Sequence, residues 1–187
     1  AYVYTKNIDS YSASIGIDIV TEDFESGEIL TYEIFDEDGK LVRTVSKYCE
    51  EPFARIDLDI TNPKLWYPLG YGEQNIYRLM IKAQGIMLYE TVFGIRTVKI
   101  LEAPDEPGSA NYNKCLELKK VEKLSGFEKN ETFTGFLLLV NGIKIMCKGA
   151  NWVPCEPFPS AETKEKITEI LELAKKMNLN MIRVWGG

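Results

Sequence analysis

A chain of 187 residues with 45% apolar side chains is long enough to bury one large core or two modest ones. Its 22 basic residues against 28 acidic ones leave a net charge of −6, with no run of five basic residues, which argues against nucleic acid as a partner because phosphate binding needs a positive face. The chain holds no histidine, so a Ser-His-Asp or Cys-His nucleophile, a His general base and a His-ligated zinc are excluded within it. The longest apolar run, residues 136–140, is far short of the ~20 residues that cross a bilayer, and no signal-peptide pattern opens the chain. Cys49, Cys115, Cys147 and Cys155 show no Cys-x-x-Cys spacing. They read as reduced, mostly buried thiols, which favours the cytoplasm, and they call for no metal or other cofactor.

Taken in order, residues 11–19 place Tyr11, Ala13, Ile15, Ile17 and Ile19 on one face and Ser12, Ser14, Gly16 and Asp18 on the other, the period of a half-buried strand. Residues 29–35 and 41–46 flank DEDGK, whose Asp38-Gly39 pair supplies the positive φ angles of a hairpin turn. In ARIDLDI, Ala54, Ile56, Leu58 and Ile60 alternate with Arg55, Asp57 and Asp59, predicting a strand with one solvent face. Further strands fit residues 76–83 and 89–100, with Gln84-Gly85 between them. Roughly seven short strands bounded by turn residues in about 100 residues predict an antiparallel sandwich of immunoglobulin type over 1–101.

Residues 102–113 shift to Pro, Gly, Ser and acidic side chains, so 102–135 reads as linker or insertion, and residues 115–135 fit either a hairpin or a loop. From Phe136 the chain reads as a strand ending in a polar, aromatic loop (GANWVPCEPF), with NGIK at 141–144 as a hairpin turn signal. Ile167, Ile170, Leu171, Ala174 and Met177 then form one stripe of a helix capped by Ser160 or Thr163. The closing MIRVW is an apolar strand interrupted by Arg183. Residues 136–187 thus predict a strand-helix-strand step with two parallel strands, and in parallel sheets and barrels ligands bind at the strand ends.

Arg183 has two readings: a buried cation paired with a carboxylate, or a wall of a polar pocket beside Trp185. Asn151, Trp152 and Glu156 lie at the matching end of the preceding strand. An indole face, an amide, a carboxylate and a guanidinium together suit a sugar, whose ring stacks on aromatics while its hydroxyls need donors and acceptors. Trp152 fits core packing equally well. Trp66, Tyr67 and Tyr71 read first as a rigid corner built by Pro63, Pro68, Gly70 and Gly72, and second as a glycan-binding platform. Asn130-Glu131-Thr132 matches a glycosylation acceptor, a weak signal.

Residues 62–79 (NPKLWYPLGYGEQNIYRL), 92–100 (VFGIRTVKI), 136–154 (FLLLVNGIKIMCKGANWVP) and 177–187 (MNLNMIRVWGG) together resemble glycoside hydrolase family 2, in its β-mannosidase-like branch. The resemblance implies an immunoglobulin-like domain followed by the start of a catalytic barrel in a retaining exo-β-glycosidase, β-mannosides being the expected substrates. Residues 154–158 read Pro-Cys-Glu-Pro-Phe where mannosidase-like members commonly read Pro-Ala-Asp-Ser-Phe, which leaves β-galactosidase, β-glucuronidase and exo-β-glucosaminidase specificities open. The stretch between Ile100 and Phe136 is also longer than expected. In the family both catalytic glutamates sit on later barrel strands, and about 50 residues after Phe136 cannot complete a barrel of ~250. The resemblance therefore implies no catalytic residue here. It implies a sugar-binding wall of Asn151, Trp152, Glu156, Arg183 and Trp185, with carbohydrate and the rest of the barrel as partners. The alternative is a non-catalytic sugar-binding or structural sandwich. Exposed edges at 141–148 and 181–185 predict that the chain self-associates or that its last 50 or so residues fold back on the sandwich.

Overall fold

The structure, a computed structural model, describes residues 1–21, 27–121, 134–155 and 159–185. It is mainly β and comprises two compact units, residues 1–97 with 147–187, and residues 98–146. No helix among the described residues is long and apolar enough to cross a membrane.

Strands β1 (Tyr2–Ile8), β2 (Ser12–Val20), β3 (Glu28–Phe35), β4 (Leu41–Cys49), β5 (Phe53–Thr61), β6 (Tyr77–Ala83) and β7 (Ile86–Phe93) form two antiparallel sheets, in the orders β1-β2-β5 and β4-β3-β6-β7. Alternation explains the layering. In β5 every even residue from Ala54 to Ile60 is buried and every odd one exposed. Ala13, Ile15, Ile17 and Ile19 of β2 join that face and share one apolar cluster with Leu30, Tyr32 and Ile34 of β3 and Leu79 and Ile81 of β6. Each such fully buried side chain contributes about 1.5–3 kcal/mol relative to exposure. The β3–β4 turn closes with Gly39 alone at positive φ, +78°, rather than with Asp38 as well: Asp36 Oδ1 accepts from the Asp38 and Lys40 amides.

Two elements depart from the sequence expectation. Strand β1 carries no clean alternation because a bulge between Thr5 and Asn7 shifts its register on β2, yet it completes the sheet. The strand expected over 89–100 ends at Phe93. Residues 94–96 serve the Trp66 corner instead: the Trp66 amide donates to the Ile95 carbonyl at 2.9 Å, the Arg96 guanidinium sits 4.5 Å above the Trp66 ring, and a Cβ on Gly94 would lie 2.9 Å from Trp66. Tyr77 ties this corner to the core by accepting the Lys64 amide at 2.8 Å.

The second unit holds β8 (Val98–Pro104), α1 (Ala110–Val121), β9 (Thr134–Val140) and β10 (Ile143–Ile145), its strands antiparallel in the order β10-β9-β8. Residues 102–104 therefore belong to a strand, and α1 begins inside the acidic Pro-Gly tract. Asn141 (φ +50°) and Gly142 (φ +78°) make the turn between β9 and β10. This is the hairpin expected from NGIK at 141–144, and it pairs Ile143–Ile145 antiparallel to β9. The Asn130-Glu131-Thr132 tripeptide lies outside the described residues.

Back in the first unit, β11 (Gly149–Trp152), α2 (Lys164–Lys176) and β12 (Met181–Val184) form a parallel strand-helix-strand step. Thr163 caps α2 by accepting the Lys166 amide, with Glu165 in its first turn and Lys175 and Lys176 in its last. Ile167, Ile170 and Ala174 are half-buried as their stripe requires, whereas Leu171 and Met177 stay exposed, at 44% and 64%. Leu171 and Ala174 line one open groove with Trp66, Pro68 and Leu69. This groove lies between the last segment and the sandwich corner, and part of the stripe stays uncovered.

The Tyr32 hydroxyl is buried with no hydrogen-bond partner among the described residues, and burial pushes its ionisation well above the usual tyrosine value. Tyr32→Phe should therefore raise stability by about 1 kcal/mol, whereas Ile17→Ala should cost about 2–5 kcal/mol, both read from denaturant midpoints. Arg55 grips Asp18 with two hydrogen bonds of 2.6 and 2.7 Å and holds its carboxyl below the usual range. A pKa lowered by folding stabilises above the unfolded value of about 3.9 and loses that contribution as pH falls through the lowered value. Stability should drop on acidification below about pH 4, and Asp18→Asn should flatten that limb in midpoints measured from pH 7 downwards.

Candidate functional site

The parallel ladder sets Asn151 opposite Arg183 and Trp152 opposite Val184. Side chains alternate along a strand, so Asn151, Arg183 and the following Trp185 share one face and Trp152 the other. Arg183 Nη1 donates to Asn151 Oδ1 at a long 3.4 Å, and both residues are exposed. The reading of Arg183 as a buried cation is thereby corrected. A four-residue strand pair carrying no buried residue offers it no enclosed environment. Trp185 is 54% exposed, and its amide donates to the Trp152 carbonyl at 2.8 Å, carrying the pairing past Val184. Of the five residues expected at the site, three thus meet on one edge as an amide, a guanidinium and an indole. Trp152 is adjacent but half-buried on the other face, and Glu156 lies outside the described residues.

The loop after β11 is tied to the start of α2. Glu162 Oε1 accepts the Cys155 amide at 3.2 Å and its thiol at 3.3 Å, closing a loop across seven residues. Burial, then the Glu162 carboxylate, push the Cys155 thiol above its ordinary pKa. Glu162 was not among the expected site residues, because only the folded loop brings it to Cys155. Among the described side chains the cysteines are less uniformly buried than expected: Cys49 is buried, Cys155 half-buried and Cys147 exposed, all three as thiols. At the sandwich corner the Trp66 ring is covered by Gly94 and Arg96, while Tyr67 packs against Gly72. These contacts make the corner a packed structural turn rather than a platform. Among the described residues no three His, Cys, Asp or Glu side chains gather as a metal set.

The family model for glycosyl hydrolases family 2 matches residues 2–96, just over half of the chain. A β-mannosidase B from Aspergillus clavatus is 28% identical over 142 residues, which cover 74% of this chain and 14% of that protein. A β-D-mannosidase structure from Dictyoglomus thermophilum superposes with a TM-score of 0.74 at 28% identity, covering all of this chain and 21% of its own. A Bifidobacterium dentium β-glucuronidase shares the fold at a TM-score of 0.68 and 18% identity, covering 96% of this chain and 26% of its own. The chain belongs to glycosyl hydrolase family 2. It spans about a seventh of the length of the Aspergillus relative and a fifth of the Dictyoglomus enzyme.

The Glu162 carboxylate predicts low thiol reactivity. Exposed Cys147 should alkylate with iodoacetamide before Cys155 at pH 8, and Glu162→Gln, which removes the negative charge, should speed Cys155 severalfold by raising its thiolate fraction. Peptide-resolved mass spectrometry reads both rates.

Proposed function

We propose that this chain supplies the supporting sandwich and one substrate-positioning wall of a retaining exo-β-glycosidase that acts on terminal β-mannosides. The observation that carries the reading is the meeting of Asn151, Arg183 and Trp185 at the C-terminal ends of two parallel strands joined by a helix. In (β/α)8 barrels that edge holds the active site. β11, α2 and β12 are then the first steps of the barrel, with Trp152 and Glu156 as further proposed sugar contacts. Membership of the family and the likeness to two mannosidases at 28% identity support the sugar.

In this reading the two carboxyl groups of retaining hydrolysis, one protonating the leaving oxygen and one attacking the anomeric carbon, come from barrel strands outside this sequence. The chain alone binds sugar weakly and does not turn it over. Its partners are a carbohydrate and the remaining barrel, and its open strand edges favour self-association in the barrel's absence. A glycan-binding sandwich is disfavoured because the Trp66 face is already occupied by Arg96.

Titration with mannobiose, followed by tryptophan emission, tests this. The wild-type chain should respond in the millimolar range, and Arg183→Ala should weaken the response about tenfold, as losing a charge-assisted hydrogen bond implies. Aryl β-mannoside should not be hydrolysed. An unchanged titration in Arg183→Ala, or turnover that survives rigorous purification, would overturn the proposal.

A further inference from the structure

We propose that Asn180 is a positioning residue, whose side chain fixes the strand register in which Arg183 and Asn151 face the same space. This rests on the reading of those two residues as sugar contacts. Asn180 makes a reciprocal pair of hydrogen bonds with one residue of the facing segment: its amide donates to the Lys148 carbonyl at 2.9 Å, and its Oδ1 accepts the Lys148 amide at 2.9 Å. The Met181 amide also reaches the Lys148 carbonyl, at 3.3 Å. The ladder proper begins with the next pair, Gly149 opposite Met181. The side-chain oxygen therefore takes an acceptor's place just after the chain leaves α2 through Asn178, at φ +58°.

A second contact selects the same register. A Cβ on Gly149 would lie 2.8 Å from the Met181 carbonyl oxygen and 3.2 Å from its Cβ, so only glycine fits opposite Met181. Sliding Lys148 or Ala150 into that place brings a Cβ against the carbonyl. Register matters here because the ladder is only four pairs long and its own hydrogen bonds do not distinguish one alignment from the next. A one-residue slip turns Arg183 to the opposite face, and a two-residue slip separates it from Asn151. Asn180 stands three residues before Arg183 and acts through it.

Amide-resolved NMR on the chain tests the assignment with two variants: Asn180→Leu, which keeps the bulk but removes the acceptor, and Asn180→Asp, which keeps an oxygen. Cross-strand contacts between residues 149–152 and 181–184 should be present in the wild type, lost in Asn180→Leu and regained in Asn180→Asp, with the Ile17 and Leu79 signals of the sandwich unchanged throughout. Mannobiose should shift the Arg183 side-chain signal, with affinity reduced roughly tenfold or more in Asn180→Leu and recovered in Asn180→Asp. Persistence of the cross-strand contacts in Asn180→Leu overturns the inference. Loss of the contacts as expected, with no effect of mannobiose on Arg183 even in the wild type, upholds the register role and overturns the sugar reading instead.

Discussion

Ile15, Ile17, Ile34 and Leu79, all fully buried, meet in the apolar cluster between the two sheets, and their removal from water is the dominant favourable contribution in the first unit. The outer faces contribute far less. The pairs Lys6–Asp57 and Lys82–Glu33 are close, at 2.7 Å, but partly solvated, and such pairs are typically worth about 0–1 kcal/mol. The core also reaches the corner that ends the sandwich. Tyr77 is buried among the core residues, stacks on Phe93 at 5.7 Å and presents its hydroxyl to the Lys64 amide, so the Pro-rich turn carrying Trp66 is anchored from inside.

The strand-helix-strand step is built on a different basis. Helix α2 contains no buried residue, and its two strands are four residues each. Parallel strands ordinarily lie in sheets covered on both faces. Here Met181, Val184 and Leu173 stay exposed, and the groove toward Trp66 covers only part of the helix. Such an element holds its shape through local devices: the Thr163 cap, the Cys155–Glu162 tie and the Asn180–Lys148 pair. In the proposed enzyme further barrel strands would supply the missing cover.

These differences decide what could be read from the residues beforehand. Strands β2 and β5 were visible because their period-two pattern runs unbroken across a buried face. Strand β1 was hidden by its bulge, and the break after Phe93 by Ile95, which continues the apolar run although it turns out of the sheet to serve Trp66. Helix α2 was legible in its spacing, but which part of its stripe is covered depends on a loop about 100 residues earlier in the chain. At the site, the residue types at Asn151, Arg183 and Trp185 were informative in themselves. Their gathering at one strand end was expected as well, but the pairing of Asn151 with Arg183 was not, because it requires a register, and register is held here by Asn180 and Gly149, whose roles exist only across the fold.

The openness of the site also bounds what it can do alone. Arg183, Asn151 and Trp185 offer one spare charged donor set, one amide and one indole face, all in contact with water. A charge-assisted hydrogen bond is worth about 1.5–3 kcal/mol net, and neutral ones about 0.5–1.5. Association itself costs at least about 4 kcal/mol in lost freedom. Against that cost these few contacts leave an affinity no tighter than the millimolar level that about −4 kcal/mol represents. Tight recognition of a sugar needs walls that exclude water and strengthen each of these contacts. In the proposed enzyme the edge formed by β11 and β12 would orient a sugar ring, and surfaces from further strands would enclose it.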